Sequence, residues 1–280
     1  MKNISRVFII LLLIFSFYYT NKIIDFLKQQ DPIMQEIKNK SDKYKIDAKD
    51  AKISDNSIIS GRKGKEVDYN KTYSKMKQYG FYNESLTVLK EIKPNVSIDD
   101  NYDKYIVGGN KEKREVSLVF TVLKDTNINN ILNILEKNKV AATFFIDGTY
   151  LENNINLLKS MKNHEIEILS YNNSYDSSLF KTSISYLENI TNSKVRYCYT
   201  RDDNNKLLKL CSKNNLHTIK PSIYIRNNLY RNIKNNLDNS LIISLEINSY
   251  IEKELSSSID YIKNKGYDIV VISELLSENY

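Results

Sequence analysis

"KVAATFFIDG", residues 139–148, is the stretch whose reading decides the fold. Within it "AATFFID" is an apolar run too short for a helix and closed by glycine, which reads as a buried strand. Upstream, "INNILNILEKNKV" places Ile128, Ile131, Leu132 and Leu135 on one helical face. Downstream, "NNINLLKSMKNHE" turns Ile155, Leu158 and Met161 inward as the next helix. Strands flank this pair in turn, "EVSLVFTV" (115–122) before it and "EIEIL" after it. The same texture continues with strands "KVRYCY", "HTIKP" and "SLIISLEI" around a helix "KLLKLCSKNN". A helix in "LSSSIDYIKNKGY" aligns Leu255, Ile259 and Ile262 and ends at Gly266; "DIVVISELL" closes the chain. Strand and helix alternating over about 165 residues predict an α/β fold with a parallel sheet or partial barrel. In such folds the active site lies at the carboxyl ends of the strands.

The rest of the 280 residues reads as appendages. "MKNISRVFIILLLIFSFYYTNK" opens with Lys2 and Arg6 and continues as an apolar run from Val7 to Tyr19. The run has signal-peptide length, but no small-residue cleavage site follows, and Tyr18 and Tyr19 suit a membrane interface. The expectation is a signal anchor over 1–26, single-pass in the cell membrane with the C-terminal bulk outside; the alternative is secretion after cleavage. Residues 27–58 are polar and read as a stalk, and 59–114 as a small α+β element. In that element Tyr69, Tyr73 and Met76 suggest a helix stopped at Gly80, and "LTVLKEI" a strand before Pro94. Residues 115–280 hold the strand–helix series. The net charge of +7 is scattered, with no basic block of the kind that binds nucleic acid. Anionic cell-wall polymer or lipid fits that charge better. Cys198 and Cys211 read as two small buried hydrophobes, with a disulfide as the alternative in an exported chain.

"KVAATFFIDG" (139–148), "HEI" (164–166) and "LSSSIDYIKNKGYDIVVISELL" (255–276) occur in an order and spacing that resemble the NodB-homology domain of polysaccharide deacetylases, carbohydrate esterase family four. The resemblance spans roughly residues 115–277 and implies a NodB-like partial (β/α) barrel. It also implies a zinc ion on one aspartate and two histidines, a second aspartate as base and a late histidine as acid. Such a site leaves one position open for water, which the metal acidifies.

This chain departs from that pattern at each motif. Where the family has T-F-D-D-G the sequence has "VFTVL", so Thr121 and Val122 stand at the aspartate positions. Counting from His164 puts Leu169 and Asn173 at the histidine-ligand positions, and Glu246 stands where the late histidine is expected. Tyr199 falls near the family's arginine, with Arg201 two residues on. The chain has two histidines where the family chemistry uses three, and neither is at a ligand position. His164 matches a structural signature; His217 reads as exposed or as a satisfied core group. No zinc or other cofactor is therefore expected. Asp125, Asp147, Glu167, Asp176 and Glu246 are the carboxylates that a rebuilt site would use, and rim residues on the plainer reading. Tyr171, Asn172, Asn173, Tyr199 and Glu246 are the candidate groove for N-acetylated cell-wall glycan; otherwise they are loop residues closing a collapsed pocket. The sequence thus supports a membrane-anchored, catalytically inactive deacetylase-fold protein that binds peptidoglycan or a related polysaccharide. The alternatives are an interaction scaffold for another envelope protein and an active carbohydrate deacetylase with a rebuilt site.

Overall fold

An uninterrupted helix, α1 (Lys2–Gln30), opens the chain in the computed structural model, which describes residues 2–279 apart from Asn173 and Tyr175. Its Ile10–Gln30 portion, with mean hydropathy 1.5, is long and apolar enough to cross a membrane. Next come α2 (Pro32–Asn39), β1 (Lys52–Ser54), β2 (Ser57–Ile59), β3 (Gly64–Val67), α3 (Tyr69–Tyr79), β4 (Leu89–Ile92) and β5 (Tyr105–Gly108). Two compact units share these elements. One holds residues 1–48 and 63–93; the other holds 49–62 and 94–280.

In the first unit, β3 and β4 pair antiparallel, and α2 and α3 close on a small core of Ile33, Ile37, Val67 and Met76. Asp31 starts α2 by accepting the Ile33 N–H at 2.9 Å, and proline at the first helical position suits that start. Gly80 ends α3 in the left-handed region at φ 77°, as the sequence predicts.

This partition corrects the linear division. Residues 27–58 are not a stalk: Ile33, Met34 and Ile37 are buried on one side of α2, and 52–59 form strands of the second unit. Nor is 59–114 one element, because β2 pairs with β5, and β5 in turn pairs with a strand more than a hundred residues later. Strand pairing is non-local, and sequence texture does not report it.

The second unit continues with β6 (Glu115–Val122), α4 (Asn129–Lys137), β7 (Thr143–Ile146), α5 (Gly148–Asn153), α6 (Ile155–Ser160), β8 (Glu165–Ile168) and α7 (Ser177–Thr191). Then follow β9 (Tyr197–Tyr199), α8 (Asn205–Lys213), β10 (His217–Ile219), β11 (Ile223–Ile225), α9 (Leu229–Asn236), β12 (Leu241–Leu245), α10 (Ser249–Asn264), β13 (Asp268–Ile269) and α11 (Ile272–Leu275). The strands form two sheets, ordered β1-β2-β5-β10-β9 and β11-β12-β6-β7-β8, with β13 on β6. Every pair is parallel except β1–β2. Side chains alternate across this frame. Val116, Leu118, Phe120 and Val122 of β6 join Ile131, Leu135, Leu187, Leu255 and Ile259 in the helix-covered outer core. Val119, Phe145, Leu169, Tyr197, Tyr199, Ile219 and Ile242 form the inner core with Ile272 and Leu275.

Cys198 and Cys211 are joined in a disulfide with Cα atoms 6.3 Å apart, which overturns the expectation of two separate hydrophobes. It ties β9 to α8. His217 is not exposed, and its ring is half satisfied: Nε2 lies 3.6 Å from Asp99 Oδ1. It is buried against Tyr102, ring centroids 4.1 Å apart, its Nδ1 has no hydrogen-bond partner, and burial lowers its pKa.

Candidate functional site

A cavity of about 390 Å³ opens at the carboxyl ends of the strands. Thr121 near the end of β6 and Leu123 after it, Leu169 and Ser170 after β8, and Tyr199 at the end of β9 with Thr200 to Asn204 beyond it line the cavity with Tyr224. Parallel strands deliver their last residues to this one end, so the topology alone brings these separated positions together. A wider hollow, about 680 Å³, lies at the amino ends beside His164, Glu165 and Arg196, away from the loops that carry chemistry in such folds.

Tyr199 is buried at the cavity floor. Its hydroxyl lies 2.7 Å from Ser244 Oγ, its ring packs on Phe145 at 5.2 Å, and burial pushes the phenol up to about 12. It is therefore a neutral hydrogen-bonding group at any physiological pH. On the wall, the Arg201 guanidinium sits 5.3 Å from the Tyr224 ring and its Nε bonds Asp202 at 2.8 Å. Tyr224 donates its hydroxyl proton to Glu246, which Arg226 also contacts at 2.8 Å; these partners, Tyr224 first, lower the Glu246 pKa. Glu246 is a paired carboxylate behind Tyr224, and a proton donor is not what this environment makes of it.

The positions expected to be degenerate separate by strand parity. Thr121 faces the cavity; Val122 points the other way and is fully buried in the outer core. Leu169 lines the cavity and belongs to the inner core. Asn173 lies outside the described residues. Tyr171 and Asn172 sit to one side of the cavity lining. The Tyr171 hydroxyl bonds Glu152 at 3.2 Å, and Asn172 occupies the left-handed region at φ 49°, its N–H donated to Asp147 at 3.0 Å. Of the candidate groove, then, Tyr199 lines the cavity directly and Glu246 stands behind its wall.

Of the carboxylates named for a rebuilt site, Asp147, Glu167 and Asp176 do structural work. Asp147 accepts from Thr149 N–H at 3.0 Å, from Ser170 Oγ at 2.5 Å and from Asn172, and so fixes the turn after β8. Directly after it, Gly148 is required: an added Cβ would meet Ser183 Oγ and Tyr171 Cδ2, each at 2.5 Å. Glu167 is buried between β8 and β9, which have no backbone ladder between them. Its Oε2 accepts the N–H groups of Arg196 (2.9 Å) and Tyr197 (3.0 Å), joining the two sheets, and burial raises its pKa well above the usual range. Asp176 caps α7 through Ser178 and Leu179, and Asp125 is exposed after β6. His164 Nδ1 accepts the Ala142 N–H at 3.2 Å and props the start of β7. Among the described residues no three His, Cys, Asp or Glu side chains converge as a metal site. The side chains of Val122 and Leu169 have no donor atoms, so the residues present do not fit a deacetylase zinc ion.

Sequence reasoning missed Thr200, Asp202, Asp203, Asn204 and Tyr224 as lining residues. The signal available was their place just after β9 and in β11, at the productive end of the frame.

Residues 108–238 match the model of the polysaccharide deacetylase family. YlxY, an uncharacterized protein of Bacillus subtilis, is 26% identical over 273 residues, 89% of this chain and 85% of that protein. Among solved structures, BA3943 of Bacillus anthracis, a CE4 family pseudoenzyme, superposes with TM-score 0.67 at 24% identity, covering 89% of this chain and 96% of that one. A BA3943 mutant with restored enzymatic activity superposes with TM-score 0.67 over 89% and 99%. At that identity the likeness is one of fold.

Proposed function

The chain carries a polysaccharide-deacetylase-like domain, and on that premise we propose that it binds N-acetylated cell-wall glycan without hydrolysing it. In this reading α1 is an uncleaved anchor that holds the domain on the outer face of the cell membrane. The observation that carries the proposal is the floor of the strand-end cavity. Leu169 and Thr121 occupy it instead of ligands and a base, while Tyr199, Arg201 and Asp202 keep it open and polar. A neutral phenol, a guanidinium and a carboxylate suit sugar hydroxyls and an acetamide; none is placed to activate water. Without a metal or an unpaired carboxylate, an acetamide carbonyl has no group to polarise it and no base beside it. The pseudoenzyme status of BA3943 supports the same reading for this chain.

The test is a titration of the full chain in detergent with N-acetylglucosamine oligomers, read by chemical shift or calorimetry. Binding that weakens in Tyr199→Phe and Arg201→Ala, with no acetate released, is the expected result. No binding at millimolar ligand would remove glycan recognition; acetate release would remove the inactive assignment.

A further inference from the structure

We propose that α3 of the first unit lies on the membrane surface and binds anionic phospholipid headgroups, a second membrane contact beside the helix anchor. The inference rests on the reading of α1 as an inserted helix.

Its geometry begins at the end of α1. Lys28, in the last turn of α1, donates to Asn70 Oδ1 at 2.7 Å and sits 5.2 Å from the Tyr73 ring centre. Asp31, just after α1, accepts from the Tyr73 hydroxyl at 2.9 Å and from Lys77 Nζ at 2.5 Å. Three successive turns of α3 are thereby fastened to the point where the apolar helix ends. A membrane-spanning helix meets the headgroups there, so α3 is held at headgroup level.

The two faces of α3 have different fates. Thr72 and Met76 are buried, Met76 against Ile33, Ile37 and Val67. The edge beside them exposes Lys71, Lys75 and Tyr79, with Lys71 Nζ 3.6 Å from Asp68, and Phe81 follows directly after the Gly80 turn. Tyr79 is 62% exposed and Phe81 56%, among the most exposed aromatics outside α1. Lysines beside aromatic rings are the composition of an interfacial helix: ammonium groups pair with phosphate, and rings enter the headgroup–acyl boundary. Charge complementarity and continuity with the anchor both select an anionic bilayer as the occupant of this face.

The chain contains no tryptophan, so a single introduced indole reports its own depth. The full chain is reconstituted with Phe81→Trp in vesicles of brominated phosphatidylcholine, alone or mixed equally with phosphatidylglycerol. Phe15→Trp in α1 serves as the reporter of the anchor. Phe15→Trp should be quenched in both vesicles, and Phe81→Trp more strongly in the anionic one. Reversing Lys71 and Lys75 to glutamate should abolish that lipid dependence; both side chains are exposed and the fold tolerates their exchange. Quenched Phe15→Trp with unquenched Phe81→Trp would overturn the proposal and leave the anchor intact. Unquenched Phe15→Trp would overturn the anchor itself. Shielding of Phe81→Trp by soluble anionic wall polymer, without bromolipid quenching, would assign the face to the wall and overturn the lipid proposal.

Discussion

Thr121 and Val122 are adjacent in sequence and live in different environments, one at the cavity and one in the outer core. An aspartate at 121 would reach water, whereas one at 122 would be buried beside Phe120 without a partner. Val122→Asp should therefore destabilise the domain by about 3–5 kcal/mol, and Thr121→Asp by less than ~1 kcal/mol, in denaturant unfolding. The motif alignment placed both residues at the site, whereas the alternation begun at Val116 turns Val122 to the outer core. Glu167 was not legible, because nothing in "EIEIL" shows that one carboxylate replaces a strand ladder. An acid with a raised folded pKa keeps its proton in the fold while the unfolded chain gives its own up. Its contribution is full below the ordinary value of 4.5 and is lost as pH rises from there through the raised pKa. Glu167→Gln keeps an acceptor for Arg196 and Tyr197 and should show a flatter stability profile as pH rises above 4.5. Glu167→Leu orphans both N–H groups and should cost about 1–3 kcal/mol at every pH.

At the scale of elements, β6, β7, β8, β10 and β12 ran close to their expected bounds, since a buried parallel strand announces itself as an apolar run. Among the helices that were not expected are α7 and α9. Within α7, "SSLFKTSISYLENIT", Phe180, Leu187 and Ile190 are buried at helical spacing, but the serines and threonines between them are weak helix formers. The α9 segment "LYRNIKNN" is similarly masked by asparagine, and only Leu229 and Ile233 are buried. Tertiary packing decides both helices. The disulfide was also beyond the sequence, because the spacing of Cys198 and Cys211 suits either state until β9 and α8 are seen side by side. Closing so short a loop restricts the unfolded chain, so reduction, or the double change to alanine, should lower stability by ~2–3 kcal/mol. The measurement is the shift of the denaturation midpoint with reductant, which should vanish in the alanine variant.

For the whole molecule, the frame was readable and the partition was not. The α/β order, the carboxyl-end site and the missing ligand types all follow from local pattern. The grouping of residues 49–62 with 94–280 depends on β2 meeting β5, a contact between strands nearly fifty residues apart. The proposed location outside the cytoplasm is one in which a disulfide such as Cys198–Cys211 persists. In the proposed function, the strand-end cavity of this frame binds no metal. The direct test is elemental mass spectrometry of the full chain in detergent, purified without chelator or added metal. Less than about a tenth of an equivalent of zinc, manganese, cobalt or nickel is the predicted result. A stoichiometric metal, retained through dialysis and lost in Glu246→Gln or Asp147→Asn, would contradict it.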